Sequence, residues 1–151
     1  MFYNIFAESY RSNIMANEFS AMTAVGAVVI AGIYISIFSL VKEPQRQKIN
    51  ALIIAGAGAV YWSGGLGFYE FPLGVIMIYL AYKGLDNYKY LALGWMVHTC
   101  YDVLHHFYGN PIVPMESSSS AGCAICDPIL ALWLFYGAPN VFQSFYRKQA
   151  V

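Results

Sequence analysis

His98, Asp102 and His105 recur at i, i+4 and i+7 in the run His98-Thr99-Cys100-Tyr101-Asp102-Val103-Leu104-His105-His106. On an α-helix that spacing puts three ionisable groups on one face, with His106 flanking it. Imidazoles combined with carboxylates form a borderline-to-hard donor set, suited to zinc, iron, manganese or copper rather than calcium or magnesium. One ion can take His98, His105 and either Asp102 or Glu70, leaving a position for water. Two ions can share the three histidines with Glu70, Asp102 and Asp127, a count close to that of carboxylate di-iron centres. A metal-free alternative makes His98 and Asp102 an oriented base pair or part of a proton relay.

Other residues are weighed against simpler roles. Glu70 is a ligand or general base, or else a helix-start carboxylate in interfacial water, where the helix dipole favours it. Asp127 precedes Pro128, so it reads as an N-cap with proline at the first helical position, as well as a candidate ligand. Cys123 and Cys126 form a lone CxxC. They can be a disulfide or redox pair, metal ligands, or packing. Cys100 reads as packing.

The elements that must position these groups are unusual in composition. The chain has 151 residues, of which 59% are hydrophobic and 11% charged, with a formal net charge of zero. Its mean hydropathy is +0.52. A soluble domain carries about 25% charged residues. Without a basic surplus there is no electrostatic footprint for nucleic acid, and so apolar a chain is not disordered. The composition predicts an all-α integral membrane protein. Ionisable groups inside a membrane span are expensive, which makes the histidine face a functional site by default.

About 20 mostly apolar residues cross a bilayer, and five segments are expected to do so. These are residues 19–41, 49–66, 67–83, 88–107 and 128–146. The polar stretch Lys42 to Lys48 separates the first two, Gly64 to Gly67 turns into the third, and Gly84 to Asn87 connects the third and fourth. Pro72 fits a first helical turn, and Pro139 is expected to kink the fifth span. A four-span alternative makes residues 49–83 a re-entrant element. Small residues from Ala55 to Ala59 and at Gly64, Gly65 and Gly67 favour close helix packing.

Five spans put Lys42, Arg46, Lys48, Lys83, Lys89, Arg147 and Lys148 on one side and Arg11 alone on the other. That bias predicts an N-terminus outside and a C-terminus in the cytoplasm. Measured from Lys89 at 1.5 Å per residue, His98 lies about 13–14 Å along the axis and His105 about 24 Å. The site then belongs to the outer half of the bundle, together with Glu70, Cys123, Cys126 and Asp127. Residues 1–18 repeat Phe2, Phe6, Tyr10 and Ile14 every four positions, which suits an interfacial helix or a frayed tail rather than a cleaved signal. The loop from Gly109 to Cys126, with Pro111, Pro114 and a serine run, is long enough for a lid.

The segments Gly67-Phe68-Tyr69-Glu70, His98 to His106, Gly109 to Pro114 and Ser120 to Pro128 resemble an uncharacterised family of small bacterial polytopic membrane proteins. The resemblance covers about residues 50–140. It rests on the patterns GxYE, HxxYDxxHH and GCAxCDP, and implies a multi-span fold but no activity. The His105-His106 pair is similar to the HxxHH box of membrane desaturases and hydroxylases, yet those enzymes use several such boxes and this chain has three histidines in all.

The functional expectation is a metal-binding protein of the bacterial inner membrane, its site facing outward and holding zinc, iron or copper. As an enzyme it would be a hydrolase or oxidase acting on a lipid-like or small apolar substrate. His98, His105, His106 and Asp127 would be ligands, and Asp102 and Glu70 would serve as ligands or catalytic carboxylates. The alternatives are a non-catalytic accessory or metal-handling subunit of a larger membrane complex, and a small proton or metal transporter. The bilayer is the expected partner, with a homo-oligomer or larger complex also expected.

Overall fold

The computed structural model describes residues 20–60, 62, 66–108 and 118–143. Among the described residues, five α-helices carry the fold: α1 (Ala21–Leu40), α2 (Gln45–Val60), α3 (Glu70–Gly84), α4 (Tyr88–Tyr108) and α5 (Ser119–Phe135). A 3-10 turn, Gly67–Tyr69, leads into α3. No strand occurs among the described residues. Several expectations lie outside those residues: the interfacial segment 1–18, the Gly64-Gly65 part of the turn, residues 109–117 of the lid, and the stretch 144–151.

Local chemistry explains most of the boundaries. The Ser20 hydroxyl accepts from the Thr23 amide at 3.1 Å and starts α1. Pro44 precedes α2, whose first turn is built from Gln45, Arg46, Gln47 and Lys48. The helix therefore begins four residues before the apolar run expected from position 49. Asn87 caps α4, its Oδ1 accepting from the Lys89 amide at 2.9 Å.

The fifth helix departs most from expectation. It starts at Ser119 rather than Pro128, so Asp127 and Pro128 sit in its interior and Asp127 caps nothing. It also ends at Phe135, before Pro139 can kink it. Gly137 takes a positive φ of 81°. Its amide bonds Leu134 O at 2.8 Å, and the Ala138 amide bonds Trp133 O at 3.0 Å. These paired bonds are a Schellman stop, which a glycine accommodates without strain.

The helices run up and down in one bundle. α1 packs along α5, α5 along α4, α4 along α3, and α3 along α2, while α2 also touches α4. One end of the bundle gathers the basic residues and is tied by cross-links. Gln47 donates to Gly84 O at 2.8 Å, and Tyr88 donates to Glu43 Oε1 at 2.7 Å. Buried Arg46 donates to Val41 O at 2.9 Å, to Ser39 O at 3.4 Å and to Ala138 O. Close approach elsewhere depends on small residues: a Cβ on Gly58 would stand 2.4 Å from Met77 Cβ.

By length and composition α1 is the one described helix able to cross a membrane; α5 is apolar but shorter, at 17 residues. Little of α1 is buried. Val25, Ile30, Ile33 and Ile37 are each more than half exposed. The opposite holds for ionisable groups: Glu70, His98, Asp102, His105, His106 and Asp127 are all buried.

Candidate metal centre

α4 sets the site. His98 and Asp102 are one turn apart on its inward face, and His105 lies on the same face one turn further on. α5 brings Asp127 against them because the helix begins early enough to hold that residue in its middle turns. His98 Nδ1 lies 2.6 Å from Asp127 Oδ2 and 3.1 Å from Asp102 Oδ2. One donor atom from each of the three residues falls within 4.8 Å of the others. Asp102 is wholly buried, and His98 and Asp127 are nearly so.

Electrostatics makes this arrangement demanding. Two carboxylates face a single imidazole nitrogen in an apolar interior. Buried charges need compensation. A protonated imidazole offsets one of the two and a proton shared between the carboxyl groups can neutralise the other; a divalent cation would instead balance both and leave His98 neutral, as a ligand must be. With metal–ligand bonds of about 2.0–2.2 Å, an ion would enter by separating His98 Nδ1 and Asp127 Oδ2 from their 2.6 Å contact. One imidazole and two carboxylates leave room for a fourth, non-protein ligand.

A further observation favours an oxygen beside the cluster. Trp95, one turn before His98, meets the imidazole edge to face with ring centroids 5.6 Å apart. Its Nε1–H is buried and has no acceptor among the described residues. An unsatisfied buried donor costs about 1–3 kcal/mol, so an oxygen ligand bound within reach of this N–H would be stabilised by it.

The remaining sequence candidates divide. Glu70 and His105 form their own pair, with Glu70 Oε1 3.2 Å from His105 Nε2. Glu70 does not sit in interfacial water: it is fully buried. The same Oε1 accepts from the Leu66 amide at 2.6 Å and so also holds the entry to α3. Tyr101, whose ring lies 6.3 Å from that of His105, donates to Tyr69 O at 2.7 Å. His105 is therefore a neighbour of the triad, not a member of it. His106 is buried, packs near Phe107 and is not among the three converging residues. Cys123 and Cys126 are free thiols on α5 rather than loop residues.

Sequence reasoning missed Trp95, Tyr34 and Asn50. Tyr34 on α1 packs edge-on against both Trp95 and Trp133 and donates to Asn50 Oδ1 at 2.8 Å. An aromatic in so aromatic a chain gives no signal. Asn50, a lone amide at the start of an apolar run, was the detectable one.

Residues 22–140 match the model of a family of unknown function, DUF6010. No curated protein and no solved structure matches the chain.

Proposed function

We propose that this chain, which belongs to the DUF6010 family of unknown function, is a metal-dependent integral membrane protein acting on a lipid-like or small apolar substrate. The carrying observation is the convergence of His98, Asp102 and Asp127 within 4.8 Å, buried, from two helices. These three residues would hold one divalent ion. Two carboxylate oxygens against one imidazole make a harder donor set than three histidines, which favours zinc, iron or manganese over copper. Such an ion supplies Lewis acidity and an activated water or oxygen ligand. The protein's own groups do the rest. Trp95 Nε1–H orients an oxygen beside His98. His105, about one turn beyond Asp102 on α4, and Glu70, which meets it from the start of α3, accept and pass a proton. Burial of the whole set keeps bulk water out.

The membrane reading rests on inverted polarity. Apolar side chains of α1, α3, α4 and α5 face outward while Glu70, His98, Asp102, His105, His106 and Asp127 are enclosed, the reverse of a soluble bundle. Five crossings, with Lys42, Lys48, Lys83 and Lys89 at the cytoplasmic end, follow from the positive-inside rule. The shorter helices would need the bilayer to thin around them.

The metal reading is tested by elemental mass spectrometry of protein purified in detergent without chelator, beside His98→Ala and Asp127→Asn. The expected result is about one equivalent of a transition metal in the parent and little in either variant. A metal-free parent would overturn it. That outcome would favour a second reading, in which the close His98–Asp127 contact, 2.6 Å, is the proton-sharing element of a metal-free relay.

A further inference from the structure

A groove of about 430 Å³ runs along the outside of the α4–α5 seam, lined by Lys89, Ala92, Leu93, Met96, Pro128, Ala131, Leu132 and Phe135. It is separate from the metal centre. Met96 and His98 are two residues apart on α4 and so point to opposite sides of that helix. The volume is within the roughly 300–1,000 Å³ of small-molecule sites.

Its shape and polarity run in one direction. Ala92 and Ala131 are buried and form a floor without bulk, while Leu93, Met96, Leu132 and Phe135 are exposed walls. α4 and α5 are antiparallel here, so Lys89 and Phe135 mark one end and Met96 and Pro128 the other. Seven residues separate the two ends on each helix, about 10 Å at 1.5 Å per residue, or about a third of a bilayer's hydrocarbon core. Every lining residue but one is apolar. The exception, Lys89, stands at the basic end, its Nζ 5.8 Å from the centre of the Phe135 ring. No acidic residue lines the groove.

We propose that this groove binds one anionic phospholipid, with the phosphate on Lys89 and the upper part of an acyl chain lying over Ala92 and Ala131. This inference rests on the membrane reading above but not on the metal. Charge selects the ligand: an ammonium at the mouth of an acid-free apolar trough discriminates a net negative headgroup from a zwitterionic one. Depth agrees, because a phosphate sits at the interface and the chain below it fills the first third of the hydrocarbon.

The test is native mass spectrometry of the full chain in neutral detergent, titrated with phosphatidylglycerol or phosphatidylcholine. The parent should retain one phosphatidylglycerol about fivefold more tightly than phosphatidylcholine, the contribution of a single interfacial lysine. Lys89→Gln should erase that preference and still bind both lipids. Met96→Trp, which fills the trough, should weaken both. Circular dichroism and gel filtration check that each variant is folded. Equal affinities in the parent, or a preference that survives Lys89→Gln, would overturn the proposal. So would displacement of the phospholipid by equimolar palmitate, which would make the ligand a free fatty acid. A parent dimer split by Met96→Trp would assign the groove to a second copy and overturn it equally. Protein that washes out of membranes at alkaline pH fails the membrane reading itself. Protein that stays but shows no lipid preference fails this inference alone.

Discussion

Asp102 and Asp127 carry the same chemical group and stand in different relations to His98. Asp102 comes from the same helix as His98 and is fully buried; Asp127 comes from α5 and is the closer of the two. Removing either negative charge relieves repulsion in the metal-free protein and, on the proposed metal reading, would remove a ligand from the loaded one. Asp127→Asn should therefore leave metal-free stability equal or higher, and lower metal affinity by tenfold or more. Paired unfolding curves with and without metal read both signs. Trp95→Phe is the companion experiment. Deleting an unsatisfied donor from an apolar site is neutral or stabilising, whereas deleting one that holds an oxygen costs about 0.5–1.5 kcal/mol. We expect the metal-free variant to match the parent, and the stabilisation gained on metal loading to shrink by about 1 kcal/mol.

Among the elements, the fourth helix was legible because its signal is periodic. His98, Asp102 and His105 announce a shared face by spacing alone, and α4 carries them as such. The fifth was not. Asp127-Pro128 resembles a helix start so closely that the preceding serines and cysteines read as loop. In fact Ser120 and Ala121 are buried, and the small polar residues of Ser119–Cys126 are the site-end turns of the helix. Hydropathy finds where a helix turns greasy, which differs from where it begins when its first turns face a polar interior. The same error displaced the start of α2, whose first turn is polar because it faces Gly84 and the basic end. Glycine packing in α2 was anticipated in kind but not by position. Gly58 is buried against Met77, whereas a Cβ on Gly56 meets nothing within 4 Å. Gly58→Ala should destabilise by about 1–3 kcal/mol through overpacking. Gly56→Ala should be neutral or stabilise by up to about 1 kcal/mol through helix propensity. Detergent-solubilised unfolding midpoints separate the two.

At the scale of the molecule, the buried polar groups of the described residues form two populations. One surrounds His98; the other lies at the basic end, where Ser39, Arg46 and Asn50 are buried. The second population is engaged in structural bonds. Ser39 Oγ accepts from the Val141 amide at 3.3 Å, Trp133 donates to Pro139 O at 3.0 Å, and Arg46 reaches carbonyls on both sides of the bundle. This counts against a transport path, since these donors are spent on fixed backbone. Arg46→Met keeps the bulk and strands three carbonyls, so it should cost about 2–4 kcal/mol of stability without changing metal content. Thermal aggregation onset beside elemental analysis would check both halves.

That arginine also imposes an order on biogenesis. Its partner Ala138 is 92 residues later in the chain, so when α2 leaves the ribosome the guanidinium has no means of reaching it. Through synthesis of α3 and α4 the nascent protein carries an incomplete clamp at the base of its first hairpin. Only translation of the Tyr136–Pro139 turn closes it. A chain stopped before that turn holds every triad residue, yet should remain an open intermediate and a substrate for cellular quality control.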